Sequence, residues 1–350
     1  MNRLSLVFWE TTRCCNLECP HCRASAINSR LPDELTTSEA KRILTEIASV
    51  GKPIMVFSGG EPLVRDDLYE LSSFAHNLGL KSAVATNATM ITPQVGEKLK
   101  QANVSMMAVS VYGGSSSAHD SFTGEPGSYD LTMKGIENIK RAGIKFQINT
   151  TITKRNISEL NAMADLATNL GASAYHVFFL VPTGRGKSLE GDSISAQEYE
   201  EVFNRLYDLQ MTSELRIKAT CAPHYYRVLR QRLAAENKVF PSQQSIFHQI
   251  TKGCLAGQAV CFISYKGEVY GCGYLDVLAG DLRKENFKDV WQRSELFKTL
   301  RDESKLLGKC SVCEFVKICS GCRARAYAKT ENYLEEEPDC LYQPIIKTKV

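Results

Sequence analysis

The sequence predicts an α/β protein, a partial (β/α)6 TIM-like barrel followed by a smaller cysteine-rich domain. Two observations support this class. Short apolar runs alternate with amphipathic helices through the first two thirds of the chain, and most of the 13 cysteines fall into one group near the N-terminus and one after residue 250. A chain of 350 residues, 43% of them hydrophobic, can build a large core and a small second domain. We place the domains at residues 1–235 and 236–350.

Six segments have the length and composition of buried strands. They are short, apolar and often β-branched: Leu4–Trp9, Pro53–Phe57, Lys81–Thr86, Met106–Val111, Lys145–Ile152 and Ala174–Leu180. Strands that alternate with helices form parallel sheets, and barrels of this kind carry their chemistry at the carboxyl ends of the strands.

Helices are predicted between these strands, each ended by a glycine. They are Thr37–Val50, Tyr129–Ala142 and Asn156–Leu170, followed by Gly51, Gly143 and Gly171. The alternation fades after about residue 220. A further helix is predicted at Ala222–Glu236, little periodicity is seen at Lys238–Ile250, and Phe262–Ser264 with Glu268–Tyr270 form a predicted hairpin. The domain boundary is therefore expected between residues 235 and 250.

Charge and hydropathy exclude several classes of function. The net charge of +3 gives no reason to expect nucleic acid as a partner. No apolar run is long enough to span a membrane, and the N-terminus has no cleavable signal pattern, so we expect a cytoplasmic protein. Clustered cysteines in a reducing compartment are more often metal ligands than disulfides. Composition alone leaves both zinc and iron–sulfur open.

The first cysteine group, Cys15-x3-Cys19-x2-Cys22, follows the first predicted strand. Three thiolates can hold three corners of a cubane iron–sulfur cluster and leave the fourth iron open to another ligand. Electron-transfer clusters use four cysteines, and structural zinc sites use four protein ligands. A triplet at a catalytic position therefore favours a cluster with an exogenous ligand. Cys14 is assigned no role.

A glycine-rich turn, Gly59-Gly60-Glu61-Pro62, follows the second predicted strand. Paired glycines let a ligand approach the backbone closely, and the proline fixes the turn. Alone, the tetrapeptide could be an ordinary strand-ending turn. Its position one βα unit after the cysteine triplet makes the two motifs a specific pair.

These two motifs resemble, in order and spacing, the CxxxCxxC and GGEP motifs of the radical S-adenosylmethionine (radical SAM) superfamily. The resemblance implies that Cys15, Cys19 and Cys22 hold a [4Fe-4S] cluster whose open iron chelates the methionine group of SAM. It also implies cofactor-contacting residues in the segment that ends the second strand and at two later strand ends; the three at the later ends, Thr86, Asn87 and Ser110, could equally be ordinary strand-end caps. The cofactor-contacting residues are Ser58, Gly59, Gly60, Glu61 and Pro62, together with Thr86, Asn87 and Ser110.

Eight further cysteines lie in the C-terminal part: Cys254, Cys261, Cys272, Cys310, Cys313, Cys319, Cys322 and Cys340. Their CxxC pairs could form zinc knuckles, but their layout resembles the SPASM extension of radical SAM enzymes. The resemblance pairs Cys254, Cys261, Cys272 and Cys322 around one auxiliary [4Fe-4S] cluster. It pairs Cys310, Cys313, Cys319 and Cys340 around another. The two-residue spacing before Cys322, where the family usually has three, leaves one or two auxiliary clusters open. Cys221 is left over.

Two classes of substrate compete. A peptide maturase would often carry a leader-binding module, and none is found because the first strand starts by Leu4. Several stretches instead resemble the siroheme-dependent haem pathway, most of all its AhbD-type haem synthases; the AhbC-type deacetylases and NirJ-type enzymes share the frame. The stretches are Phe8–Arg13, Phe146–Asn156, Phe179–Lys187 and Lys218–Arg227.

The tetrapyrrole resemblance implies iron-coproporphyrin III as substrate, with two propionates converted to vinyl groups to give protohaem. The alternatives are 12,18-didecarboxysiroheme deacetylation and peptide maturation. Four substrate carboxylates need cations, and the candidates are Arg185, Lys187, Lys218 and Arg227, unless these are solvated surface charges. His176 and His224 could ligate the substrate iron or donate to a carboxylate, or be structural. We also expect an external low-potential electron donor.

Overall fold

A computed structural model describes residues 3–239 and 253–345, and a single ten-stranded sheet organises this part of the chain. The strands are β1 (Leu6–Glu10), β2 (Ile54–Ser58), β3 (Lys81–Thr86), β4 (Val104–Ser110), β5 (Lys145–Ile152), β6 (Ala174–Phe179), β7 (Arg216–Thr220), β8 (Val260–Ile263), β9 (Glu268–Tyr270) and β10 (Leu278–Asp281). Their spatial order is β10-β9-β8-β1-β2-β3-β4-β5-β6-β7. The pairs from β8 to β7 are parallel, and β9 and β10 are antiparallel.

Helices connect the strands. Those before residue 240 are α1 (Thr37–Val50), α2 (Leu68–Asn77), α3 (Pro93–Gln101), α4 (Ser116–Thr123), α5 (Ser128–Arg141), α6 (Leu160–Leu170), α7 (Ala196–Thr212) and α8 (Tyr225–Ala235). Those after residue 252 are α9 (Phe287–Arg293), α10 (Glu295–Leu300), α11 (Gly308–Val312) and α12 (Arg323–Thr330). Short 3-10 turns lie at Pro62–Val64, Ile157–Glu159, Gly184–Asp192 and Glu303–Lys305. A capping box of Thr36 and Glu39 starts α1.

The core lies between the helices and one face of the sheet. Val7 and Trp9 of β1, Phe57 of β2 and Ile47 of α1 are all buried in one apolar cluster. Because side chains alternate across a strand, the residues between them face the barrel interior. Glu10 and Ser58, adjacent in register at the ends of β1 and β2, are on that inner face.

The predicted fold class is confirmed. The six predicted strands are present with ends that differ by at most two residues, and helix Thr37–Val50 has its predicted bounds. The predicted helix at Asn156–Leu170 begins with a 3-10 turn, and Ala222–Glu236 is helical over Tyr225–Ala235. The structure adds β7, which a search for continuous apolar runs misses because polar residues separate its apolar ones, although this alternation is itself typical of a strand.

The cysteine-rich part extends the barrel sheet. The predicted hairpin is present as β8 and β9, and β8 pairs in parallel with β1. Much of the predicted boundary at 235–250, including most of Lys238–Ile250, falls at residues 240–252, outside the described residues. No helix in the described parts of the chain has the length and apolar character needed to cross a bilayer.

Candidate active site

The thiols of Cys15, Cys19 and Cys22 gather in the loop that follows β1. The backbone N–H of Leu17 donates to Sγ of Cys15 (3.3 Å), and that of Ala26 donates to Sγ of Cys22 (3.5 Å). Burial, with a smaller contribution from neighbouring thiolates, raises the pKa of Cys15 and of Cys19 to about 12. The three thiols are thus close together, and a metal must displace their protons in order to bind.

The Gly59-Gly60 turn packs against the cysteine loop. Gly60 donates its N–H to the carbonyl oxygen of Thr12 (2.7 Å), and Glu61 donates to that of Cys14 (2.8 Å). A Cβ atom on Gly60 would lie 2.2 Å from the Cys14 oxygen, and one on Gly59 would lie 2.6 Å from the Thr12 oxygen. The glycines therefore let two backbone segments meet beside the thiols.

Glu61 connects this turn to the end of β3. Its buried carboxylate accepts hydrogen bonds from the Thr86 hydroxyl (2.9 Å) and from the N–H groups of Asn87 (2.9 Å) and Leu63 (3.1 Å). Burial raises the pKa of Glu61 to about 7, although these hydrogen bonds oppose the shift. The Asn87 amide is in turn directed at Sγ of Cys15 (3.9 Å). The motif residues on β2 and β3 thus surround the cysteine triplet.

Tyr112 belongs to this site but was not singled out from the sequence. It follows β4 two residues after Ser110, whose side chain hydrogen-bonds to it. Its ring stacks on Phe122 (centroids 4.8 Å apart) and contacts the edge of His21 (4.5 Å). Burial raises the pKa of Tyr112, so its hydroxyl stays protonated beside the cysteines. No spacing rule marks a tyrosine in this position.

Arg185 holds the cysteine loop from the other side. Its Nε donates to the carbonyl oxygen of Cys19 (3.0 Å), its Nη1 donates to that of Ala26, and its backbone N–H donates to that of Cys22 (3.0 Å). The predicted role of Arg185 was to bind a substrate carboxylate. In the structure its guanidinium instead bonds to the backbone that carries the thiols.

The C-terminal thiols form two groups. In the first, burial raises the pKa of Cys322 to about 12; Arg325 opposes the shift, and Glu337, then Cys254 and Cys272, add to it. Two backbone N–H groups support this set: Tyr274 donates to Sγ of Cys272 (3.3 Å), and Cys322 donates to Oε2 of Glu337 (2.6 Å). These contacts suit thiolates that share one cluster.

The second predicted set, Cys310, Cys313, Cys319 and Cys340, stays a prediction. Burial raises the pKa of Cys319, and the neighbouring Cys310 and Cys340 add to the shift. Burial also raises the pKa of Cys313, and Cys310 again adds to the shift. The short spacing between Cys319 and Cys322 is accommodated by two successive left-handed residues, Ser320 (φ 61°) and Gly321 (φ 63°). This tight turn directs the two cysteines to different groups.

Cys261 does not join its predicted partners. It lies in β8 opposite Val7 of β1, is fully buried and faces the apolar core. Burial raises its pKa, and its charged neighbour is Arg301 rather than another thiol. The sequence pattern predicted Cys261 as a cluster ligand. Side chains alternate between the two faces of β8, however, and that of Cys261 is on the face that points into the core.

The grouping of thiols suits clusters better than single ions. Within residues 3–239 and 253–345, no three His, Cys, Asp or Glu side chains are close enough to hold one metal ion. A structural Zn²⁺ requires thiolates at about 2.3 Å from one centre, whereas a cubane cluster distributes them over separate irons.

A cavity of about 960 Å³ lies between the two cysteine regions. It is lined by Arg23, Ala24 and Ser25 of the first cysteine loop and by Cys272, Gly273 and Tyr274 of the C-terminal part. Its size is near the upper end of the roughly 300–1,000 Å³ typical of small-molecule sites. Arg13, Lys187 and Lys266 add positive charge to its wall, opposed by Glu10, Glu268, Asp276 and Glu331.

The other predicted substrate residues lie in three places. Lys187 is exposed on the cavity wall. Lys218 and His176 are neighbours in register on β7 and β6, inside the barrel. Burial, with Lys218 nearby, lowers the pKa of His176 to about 3, and its Nδ1 lies 3.1 Å from Nε2 of Gln147.

Arg227 and His224 are positioned elsewhere, which corrects their predicted role in substrate binding. Arg227 forms an ion pair with Glu200 and lies over the ring of Tyr342 (5.1 Å). His224 is fully buried against Phe203, with ring centroids 4.7 Å apart. Neither residue lines the cavity, and the charge of Arg227 is already neutralised.

Comparison with known proteins decides the family. Residues 9–167 match the model of the radical SAM superfamily, and residues 254–314 match that of the SPASM iron–sulfur cluster-binding domain. An AdoMet-dependent heme synthase of Methanosarcina barkeri is 48% identical over 343 residues, 98% of each chain. The chain belongs to this family of radical SAM enzymes. Its cofactors are therefore [4Fe-4S] clusters and SAM, and the thiol groups described above fit that requirement.

Further relatives of this radical SAM enzyme agree. The AdoMet-dependent heme synthase of Oleidesulfovibrio alaskensis is 44% identical and matches 97% of this chain and 87% of its own. Among solved structures, Streptococcus suis SuiB bound to its precursor peptide SuiA superimposes with a TM-score of 0.75 at 19% identity. That match covers 98% of this chain and 77% of SuiB. At this identity the likeness shows the shared fold alone.

Proposed function

We propose that this enzyme converts iron-coproporphyrin III to protohaem by oxidative decarboxylation of two propionates to vinyl groups. The observation that carries the proposal is the cavity that touches both cysteine regions. A substrate there would lie beside Arg23, Ala24 and Ser25, which directly follow Cys22, on one side and beside Cys272 on the other. The names of the relatives at 43–48% identity support a haem product.

The proposed reaction requires the site to remove a hydrogen atom and an electron from each reacting propionate. Each propionate loses one hydrogen atom, carbon dioxide and one electron, and so becomes a vinyl group. The cofactors, when bound, supply the reductive cleavage of SAM that removes the hydrogen atom and an acceptor for the electron. Cys15, Cys19 and Cys22 would hold the first cluster. An external low-potential donor would supply the reducing electron.

The chain's own residues bind and orient the substrate. Arg23 shapes the cavity wall: it pairs with Glu10 (3.2 Å) and lies over the Phe262 ring (4.5 Å), so its charge, like that of Arg227, is already neutralised. These contacts fix the guanidinium in one orientation, in which it also donates to the Gly273 carbonyl (3.3 Å). Lys187 adds an exposed ammonium that can reach a propionate. Charge-assisted hydrogen bonds of this kind contribute about 1.5–3 kcal/mol when they exclude water.

Lys218 and His176 are suited to contact the part of the substrate that enters the barrel. Both lie on the inner face of the sheet, and burial lowers the pKa of Lys218. A substrate carboxylate beside Lys218 would stabilise its charged form. A porphyrin extending from the cavity toward the barrel could thus place one propionate near the site of hydrogen removal.

Product analysis tests the proposal. Reconstituted enzyme is incubated anaerobically with SAM, a reductant and either iron-coproporphyrin III or 12,18-didecarboxysiroheme, and the porphyrins are read by mass spectrometry. Monovinyl and divinyl products from the first substrate are expected. Turnover of the second alone would make the enzyme a deacetylase. Deoxyadenosine formation without change to either porphyrin would overturn the haem proposal in favour of peptide maturation.

A further inference from the structure

Cys221, which neither motif includes, lies beside the first C-terminal thiol group. It directly follows β7, at the carboxyl edge of the barrel sheet. Its backbone is in the left-handed region (φ 62°), which is uncommon for a residue other than glycine. Such conformations persist where surrounding contacts enforce them, and they concentrate at functional sites.

A chain of hydrogen bonds holds Cys221 against the C-terminal part. Arg325 donates from Nη2 to the Cys221 carbonyl oxygen (2.7 Å), and its Nη1 lies 3.2 Å from Oε1 of Glu337. The other oxygen of Glu337 accepts the backbone N–H of Cys322 (2.6 Å). Arg325 and Glu337 are both fully buried, so this connection between Cys221 and Cys322 is shielded from water.

Close packing brings Cys254 to the same place. A Cβ atom on the preceding residue, Gly253, would lie 2.7 Å from Cβ of Pro223. Pro223 is two residues after Cys221, so the start of the C-terminal part touches the segment that carries this thiol.

We propose that Cys221 is the fourth protein ligand of the auxiliary cluster held by Cys254, Cys272 and Cys322, and that Cys261 is a core residue. The assignment gives this cluster a full set of four thiolates. One ligand comes from the barrel and three come from the C-terminal part. Cluster binding would therefore join the two parts of the chain covalently through iron.

Iron content and spectroscopy of the full chain test this assignment without any substrate. The background is the Cys15→Ala/Cys19→Ala/Cys22→Ala variant, in which only auxiliary clusters remain. Cys221→Ala or Cys261→Ala is added to it, and Cys14→Ala serves as the matched thiol control. Each protein is reconstituted anaerobically and examined for iron, acid-labile sulfide and the EPR spectrum after reduction.

With Cys221→Ala we expect loss of up to about half of the auxiliary iron, or a changed EPR spectrum if the cluster is kept. Cys261→Ala and Cys14→Ala should match the background protein. An unchanged Cys221→Ala protein would overturn the proposal, as would loss of iron from a Cys261→Ala protein that melts like its parent. Should Cys221→Ala fail to fold, Cys221→Ser decides: a changed EPR spectrum supports the assignment, and an unchanged one rejects it.

Discussion

Arg185 donates from Nε to the carbonyl oxygen of Cys19, with the two atoms 3.0 Å apart. The contact joins the segment after β6 to the loop after β1, two segments whose strands lie far apart in the sheet. Because the Arg185 guanidinium also donates to the Ala26 carbonyl, it ties together two points of the loop that carries the thiols.

Arg185→Ala should therefore loosen the cysteine loop. Hydrogen bonds to a charged group contribute about 1.5–3 kcal/mol each, so we expect lower thermal stability and at least a several-fold loss of deoxyadenosine formation. Arg155→Ala is the control, because Arg155 pairs with Asp192 in the same region but is half exposed. Equal effects of the two variants on SAM cleavage would show that Arg185 has no specific role at the loop.

The triple variant Cys15→Ala/Cys19→Ala/Cys22→Ala should form no deoxyadenosine while it keeps most of its iron and sulfide. The reason is that the C-terminal thiol groups are separate from this loop. Activity is measured by chromatography of deoxyadenosine, and Cys14→Ala should behave as the unmodified enzyme. Continued SAM cleavage by the triple variant would remove the basis of the site assignment.

Glu61→Gln should change how stability depends on pH. The native pKa of Glu61 is about 7 against an ordinary value of 4.5, so the folded state binds its proton more tightly than the unfolded state. The contribution of Glu61 to the free energy of unfolding is full below about pH 4.5. It falls by roughly 3 kcal/mol at most as the pH rises to about 7.

The unmodified protein should therefore lose stability relative to Glu61→Gln over this range, as measured by denaturant unfolding at several pH values. The exposed Glu97 provides the control: Glu97→Gln should shift stability equally at all of them. A difference between the protein and Glu61→Gln that does not vary with pH would contradict the assigned shift.

Lys187→Ala should weaken binding of iron-coproporphyrin III. Because Lys187 is exposed, its ion pair with a propionate is partly screened, and we expect a loss of about twofold to tenfold that diminishes as salt is added. Binding is followed by the porphyrin absorption band. Lys145→Ala, at the opposite end of the barrel strands, should have no effect, and equal losses would point to a general charge effect.

His224→Phe should leave porphyrin binding unchanged. Both ring nitrogens of His224 lack hydrogen-bond partners within the described chain, and burial keeps its pKa well below the ordinary value. A neutral ring packed between Tyr199 and Phe203 can be replaced by another ring at little cost in stability. A large loss of affinity in a variant that melts like the parent would return His224 to the substrate site.

Local sequence signals predicted most of the barrel because its strands are apolar and its helices end at glycines. They missed β7 because Lys218 and its neighbours on the inner face interrupt the apolar run. The position of the Gly59-Gly60 turn was also predicted. The sequence did not show why glycine is needed there, which is that the Cys14 backbone lies too close to leave room for a side chain. Close contacts between segments that are distant in the chain leave no periodic pattern in the sequence, so they cannot be predicted from it.

The division of the cysteines shows the same limit. Spacing predicted Cys310, Cys313, Cys319 and Cys340 as one group, and this assignment stays a prediction. Spacing could not show that Cys261 faces the core, because this depends on how β8 pairs with β1. Burial of Arg227 beside Glu200 likewise depends on a helix pair that the sequence does not reveal.

The parallel pairing of β8 with β1 has a consequence for biosynthesis. On the ribosome, β1 is made long before β8, and one of its edges stays open until β8 has been made. Contacts so distant in sequence slow folding, and an exposed strand edge invites aggregation. Expression yield should therefore depend on chaperones, and truncation before β8 should give an insoluble chain.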